Sequence, residues 1–383
     1  MGGDGLPDQL LRTIVDNAWH CGASDVHLEP GVDWLRIRLR IDGQLVLEKI
    51  LHPSLHDALL RRLKILCGLA LDVTQLPQDG KWLWENGDAM CDVRVSTIPF
   101  LHGEGAVLRL LRRPTMEDGL QSLGFPAKLA TRLYRLAEVG DGLFLLVGPT
   151  GCGKSTSGHA ILKSLCDGTR KILSVEDPVE FTQSGVAAVS VAPAQGLTFA
   201  TALRAVLRQS PDVIFLGEIR DEETAAIAVQ AALTGHFVLG TLHCLDAARA
   251  VPRLRQLGVE ISSIRAALRG ALAQRLVRQL CPHCRTLRFP QLAWARWLNL
   301  DPARPVFHAT GCEHCSGSGF KGQTVLWELW EPRLGQGWED GPEQTLQNCL
   351  RSRVLAGDTT AEEGYAALGE LGGGAAPSGC GRG

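Results

Sequence analysis

Nine residues, Gly148-Pro149-Thr150-Gly151-Cys152-Gly153-Lys154-Ser155-Thr156, restrict the fold of this chain more than any other stretch. They follow a continuous apolar run, Leu143 to Val147, and precede a segment of helical character. A short apolar run without alternation is the pattern of a strand buried on both faces. The glycines keep Cβ atoms away from a backbone that must curl round an anion, and a following helix offers the positive end of its dipole. The run fits G-x-x-x-x-G-K-[ST] in the strand-loop-helix context that this phosphate loop requires. In that chemistry Lys154 meets the β and γ oxygens of a nucleotide and the Ser155 hydroxyl serves Mg²⁺. A plain Gly-rich turn, the bland alternative, leaves the flanking strand and helix unexplained.

Three further apolar runs, Ile172 to Val175, Val213 to Leu216 and Phe237 to Leu242, alternate with helical segments. That alternation predicts an α/β domain with a parallel sheet. Two of these runs close on acids: Glu176 and Asp177 follow one, and Gly217-Glu218 follows the other. Parallel sheets bind ligands at the carboxyl ends of their strands, so Glu176, Asp177 and Glu218 are candidates to hold a metal and order a water. A helix cap or a turn is the alternative role for each. Arg204 and Arg208, four apart on a helix predicted over 198–209, repel unless they face an anion or solvent.

Ahead of this region the texture differs. Leu6, Leu10, Leu11, Ile14, Val15 and Ala18 recur at helical spacing. Leu35, Ile37, Leu39 and Ile41 then alternate with Trp34, Arg36, Arg38 and Arg40 up to Asp42-Gly43, the signature of a hairpin that returns through Leu45 to Leu47. A helical stretch over 53–69 and alternating runs at about 90–98 and 104–112 complete a small α+β domain over residues 1–113. If the last two runs pair as a hairpin centred near 101–102, Arg94 and Arg109 stand opposite each other, either as a cationic pair or on a solvated face. The remaining boundaries read as a linker over 114–123, the P-loop domain over 124–280, a cysteine-bearing insert over 281–328, a helical region over 329–368 and a Gly-rich disordered tail over 369–383.

Cys281-Pro282-His283-Cys284 and Cys312-Glu313-His314-Cys315 supply two C-x2-C knuckles. Four thiolates can close a tetrahedral Zn²⁺ site that leaves no position for water, hence a structural one; free or disulfide-linked pairs are the alternative. The other cysteines, scattered over a long chain without an export signal, read as free thiols. With 39 Lys plus Arg against 41 Asp plus Glu the chain has no global basic field, and 5% aromatics give little material for a nucleic-acid channel. A content of 45% hydrophobic residues excludes disorder. No apolar run approaches the ~18 residues of a membrane span, and Met1 to Leu10 lacks a basic stretch and an apolar core, which together predict a cytoplasmic protein.

The P-loop, Val175-Glu176-Asp177-Pro178-Val179-Glu180, Gly217-Glu218-Ile219-Arg220-Asp221 and Gly240-Thr241-Leu242-His243 together resemble the Walker A, Asp, Walker B and His boxes of the secretion ATPases, the motors of type II secretion and type IV pilus assembly. Residues 23–30, 38–43 and 76–80 resemble that family's second N-terminal domain, so the likeness covers about 20 to 330. It implies a RecA-like ATPase domain, with ATP, Mg²⁺ and Zn²⁺ as cofactors. It further implies that Glu218 acts on the metal and the attacking water, that Glu176 and Asp177 assist, and that His243 senses the γ-phosphate. A lone histidine at a strand end otherwise reads as a hydrogen-bonded core residue. Arg94, Arg109, Arg204 and Arg208 would approach the phosphates. A homohexameric ring, inner-membrane platform proteins as partners, and a position on the cytoplasmic face of that membrane are implied likewise, and the tetracysteine element points to the assembly branch. Two departures stand out: nothing ahead of residue 20 corresponds to the family's larger docking domain, and Gly319-Phe320-Lys321-Gly322-Gln323 replaces the usual Gly-Tyr-x-Gly-Arg. The rival readings are a RecA-like motor on DNA and a nucleotide-binding zinc scaffold without turnover.

Overall fold

The computed structural model describes residues 5–87, 89–112, 119–180, 182–332, 342 and 344–369. The linker expected up to residue 118 and the tail expected beyond Gly369 lie outside the described residues. Where the expected linker is described, Gly119–Gln121 form a 3-10 turn whose Leu120 is buried. Two compact units divide between Pro114 and Thr115.

In the first unit α1 (Leu6–His20), with Leu11, Ile14, Val15 and Ala18 buried, precedes β1 (Asp25–Pro30), β2 (Leu35–Ile41) and β3 (Gln44–Leu51). Then come α2 (His56–Cys67), β4 (Gln78–Asn86), β5 (Ala89–Phe100) and β6 (Gly103–Leu111). The six strands form one antiparallel sheet in the order β3-β2-β1-β6-β5-β4. Leu35, Ile37 and Leu39 point inward, and Asp42 and Gly43 take the positive φ values, 49 and 82, of a tight hairpin turn. β5 and β6 pair in the register that sets Arg94 opposite Arg109.

The second unit contains α3 (Ala127–Glu138), β7 (Gly142–Val147), α4 (Lys154–Leu165), β8 (Ile172–Glu176), β9 (Val186–Ser190), α5 (Phe199–Leu207), β10 (Val213–Leu216), α6 (Glu222–Leu233) and β11 (Phe237–Leu242). It continues through α7 (Ala250–Gln256), α8 (Ile261–Ala267), β12 (Leu268–Leu280), β13 (Thr286–Arg288), α9 (Leu292–Trp297), β14 (Val306–His308), β15 (Phe320–Trp330), α10 (Leu346–Ala356) and α11 (Ala361–Leu368). Seven strands form a sheet in the order β15-β12-β7-β11-β10-β8-β9, parallel throughout except at β15. The unit is therefore α/β. β15 departs from the expected boundary of the insert: it pairs antiparallel with β12 from Leu280 back to Ala271, so the insert proper ends at its second knuckle. Strand partners forty residues away leave no trace in a local pattern.

Both sheet faces are covered, which is why β7, β8, β10 and β11 are apolar at nearly every position. Leu145, Val175 and Ile214 pack on one side with helices α5, α6 and α8, whereas Phe144, Leu146, Phe215 and Phe237 pack on the other with α3 and α4. Gly158 lets α4 lie close to the sheet, since a Cβ there would stand 2.6 Å from the Phe215 ring. Among the described residues no helix is long and apolar enough to cross a membrane. Phe215 is wholly buried, so Phe215→Ala should lower the unfolding free energy by about 3–5 kcal/mol, read as a lower urea midpoint; an unchanged midpoint would contradict this packing.

Candidate functional site

Register decides where the chemistry gathers. Val147 pairs with Leu242, Gly240 with Leu216, and Leu216 with Val175, so four parallel strands end along one edge. Gly148, His243, Glu218 and the Glu176-Asp177 pair leave the sheet there. At that edge lies a cleft of about 440 Å³. Thr150, Gly151, Gly153, Lys154, Ser155 and Thr156 form one wall of it, and Glu176, Asp177, Glu218 and His243 face them.

The loop's own geometry needs its glycines. A Cβ on Gly148 would come within 2.7 Å of the Gln274 carbonyl oxygen, and Gly153 caps α4 with φ +87. Lys154 Nζ donates to the carbonyl oxygens of Gly148 and Pro149, at 2.9 and 2.8 Å. Burial, which disfavours the ammonium, holds its pKa below the usual lysine value.

Glu218 is the hub of the acids. Its carboxylate accepts from Arg220 at 2.6 Å and lies 3.1 Å from His243 Nε2, while Arg220 also reaches Asp177 at 3.8 Å. Burial works to raise the Glu218 pKa, but the hydrogen bond and charge of Arg220 outweigh it and the net shift is downward. Burial also depresses His243, reinforced by the nearby Lys154 cation. At neutral pH the imidazole beside the Glu218 carboxylate is therefore neutral. Glu176, 4% exposed, lies 3.1 Å from Nε2 of the buried His159 on α4.

Arg220 and His159 are the residues that sequence reasoning passed over. Arg220 stands inside the Gly-Glu-Ile-Arg-Asp block, and His159 lies on the P-loop helix five positions beyond Lys154. Position on that helix, facing the sheet, was the available signal. Of the arginines singled out from the sequence, Arg204 and Arg208, in the same unit as the cleft, do not line it. Arg204 pairs with Glu223 at 2.5 Å, and Arg208 donates to the Arg204 carbonyl. Arg109, in the first unit, donates to Asp25 at 2.9 Å.

The four cysteines of the knuckles converge. The sulfurs of Cys281, Cys284, Cys312 and Cys315 lie within 4.8 Å of one another, with Cys281–Cys312 at 3.9 Å and both Cys284–Cys315 and Cys312–Cys315 at 3.8 Å. A tetrahedral ion with metal–sulfur bonds of ~2.3 Å requires sulfurs ~3.8 Å apart, so this donor set fits one. Burial would raise the Cys315 thiol, but amides of Cys312 and Gly319, each 3.2 Å from its sulfur, bring it down to about 6, ready to ligate.

The profile of a family described as "Type II/IV secretion system protein" matches residues 3–355. The chain is 41% identical over 373 residues to the putative type II secretion system protein E of Escherichia coli K12, covering 93% of this chain and 75% of that one. It is 43% identical to the type II secretion system ATPase E of Vibrio cholerae, and 42% identical to the type IV pilus assembly ATPase PilB of Thermus thermophilus. Each of these two matches covers 84% of this chain, which spans only 64% and 37% of the respective relatives. Among solved structures, the Legionella pneumophila ATPase DotB superposes with a TM-score of 0.63 at 19% identity, over 94% of this chain and 90% of that one. The pilus retraction motor PilT with bound ADP gives 0.55 at 25%, over 90% and 87%.

A titration checks the electrostatics of the cleft. The His243 ring should titrate below the ordinary histidine value of about 6.5 in an NMR pH series, and Lys154→Ala should move that midpoint upward. A histidine depressed in the fold contributes stability that is present above its unfolded value and is lost as pH falls through the folded one. A midpoint at or above 6.5 in the unaltered chain would contradict the reading.

Proposed function

Because the chain belongs to the type II/IV secretion system protein family, we propose that it binds Mg-ATP in the cleft at the carboxyl edge of its sheet and hydrolyses it as the motor of a secretion or pilus-assembly machine. The observation that carries this reading is the convergence of the P-loop with Glu218, Glu176, Asp177 and His243 on one edge.

The roles follow from the contacts. Phosphates entering the loop would draw Lys154 Nζ away from the Gly148 and Pro149 carbonyls, exchanging two neutral acceptors for anionic ones. Magnesium, when bound, would neutralise phosphate charge, held by the Ser155 hydroxyl and by carboxylates of Glu218, Glu176 or Asp177. Glu218, kept ionised by Arg220, can orient the attacking water and accept its proton. His243 Nε2, 3.1 Å from the Glu218 carboxylate, flanks that carboxylate on the side away from Arg220's partner oxygen, and Thr241 ties the strand tips together by donating to the Gly217 carbonyl at 2.5 Å. Arg94, Arg109, Arg204 and Arg208 stand as the cations that would complete the site in a ring of copies, the hexamer that the family resemblance suggests. Platform proteins of the inner membrane are the proposed partners, and its cytoplasmic face the proposed location. The names of the relatives support service to a pilus-assembly or type II secretion machine.

Zinc is the ion proposed for the four cysteines. All four positions would be taken by sulfur, so its role is structural: it would close the insert between Leu280, the end of β12, and Phe320, the start of β15. Atomic emission should find one zinc per chain, and Cys281→Ser should lose it together with part of the thermal stability. Absence of zinc from the unaltered protein would remove this assignment.

Steady-state phosphate release tests the motor reading. Lys154→Ala and Glu218→Gln should each cut the rate by on the order of 100-fold or more. Equal rates in all three proteins would leave only a scaffold, and strong stimulation by DNA would favour a different motor.

A further inference from the structure

β12 runs parallel to β7 and outlasts it. Ala273 pairs with Val147, the last residue of β7, so the next residues of β12 lie alongside the phosphate loop instead of a strand. Gln274 is the first of them. It is 1% exposed, and its side-chain nitrogen donates to the Cys152 carbonyl oxygen at 2.7 Å. A carbonyl can only accept, so this partner fixes which end of the amide faces the loop. The same nitrogen would stand 3.2 Å from a Cβ on Gly153.

A peptide unit is planar and trans, with its C=O and N–H pointing to opposite sides. Drawing the Cys152 carbonyl toward β12 therefore turns the N–H of Gly153 away from β12, and Gly153 lines the cleft. We propose that Gln274 is a positioning residue that locks the Cys152–Gly153 peptide plane and so aims the Gly153 N–H at a nucleotide phosphate. The proposal rests on reading the cleft as a nucleotide site.

Two further observations favour it over a plain packing role. Gln274 Oε1 is buried without a hydrogen-bond partner among the described residues, which destabilises the fold. An apolar side chain of the same length would avoid that penalty, so packing alone does not explain an amide here. Its backbone is also clamped: buried Arg275 donates to the Gln274 carbonyl at 2.9 Å and to the Leu245 carbonyl, two residues past His243, at 2.5 Å. The amide is thus delivered from a fixed backbone to the loop.

Calorimetric titration with Mg-ADP tests the idea on the unaltered chain, Gln274→Met and Gln274→Glu. Methionine keeps the length without the N–H; glutamate keeps the shape and opposes the Cys152 carbonyl with an acceptor. Both variants should bind Mg-ADP about 10-fold more weakly, since a donor that pre-sets a phosphate contact is lost. KM for Mg-ATP should rise by a similar factor while kcat changes less than about threefold. The thermal midpoint of Gln274→Met measured without nucleotide should change little, because the orphaned Oε1 disappears as the Cys152 carbonyl loses its donor. Unaltered affinity in both variants, or a lowered midpoint with unaltered affinity, would overturn the proposal and leave the nucleotide reading intact. Failure of the unaltered chain to bind Mg-ADP would overturn both. Should neither variant fold, a crystal structure of the unaltered chain with Mg-ADP decides: the Gly153 N–H on a phosphate oxygen with the Gln274 bond kept supports the proposal, and an N–H turned elsewhere overturns it.

Discussion

Parallel strands carry their carboxyl ends to the same edge, and hydrogen-bond register makes those ends level. That constraint assembles this site. Gly148, Glu218 and His243 follow three different strands and Glu176 ends a fourth, and no local interaction would bring them together. The ladders from Val147 to Leu242, from Gly240 to Leu216 and from Leu216 to Val175 do so without any side chain having to recognise another. A slip of one residue in any of these pairs would exchange the side chains fitted to the two covered faces as well as displace an acid, so the apolar packing on both sides of the sheet is also what holds the groups of the cleft in place.

Once collected, the groups set one another's protonation. Lys154 and His243 are both pushed toward their neutral forms by burial, whereas Glu218 is kept charged because Arg220 outweighs its own desolvation. A carboxylate held between a guanidinium and a neutral imidazole keeps a fixed direction and a free lone pair, which suits it to orient water. Lysine resting on neutral carbonyls at the mouth of the loop is poised to move toward anions.

How much of this the sequence disclosed depends on the range of the forces involved. The P-loop and the strands at 143–147, 172–175, 213–216 and 237–242 were legible because burial on both faces writes itself into consecutive residues. The Asp42-Gly43 turn and the pairing of Arg94 with Arg109 were legible because a hairpin is local. The cysteines announced themselves by spacing. By contrast β15 pairs with a strand that lies across the whole insert, Gln274 carries no local signal, and His159 carries only its position on the P-loop helix. Each of those depends on a contact between segments far apart in the chain, and a lone histidine or glutamine in an apolar stretch looks the same whether it faces solvent, core or ligand.

The insert ties these threads together. Cys281 directly follows β12 and Cys315 stands just ahead of β15, so a metal held by the knuckles would fix where two antiparallel strands begin and end relative to each other. Without such a closure the pairing of β12 with β15 must carry the entropy of the intervening loop by itself. β12 has a second neighbour in β7, and the same thirteen-residue strand that is anchored at its far end by the cysteines presents Gln274 and Arg275 to the phosphate loop. Register on β12 is therefore shared property: a shift there would disturb the metal cluster at one end and the amide that holds the Cys152 carbonyl in the middle. The four-cysteine cluster and the cleft at the P-loop thus lie along one strand.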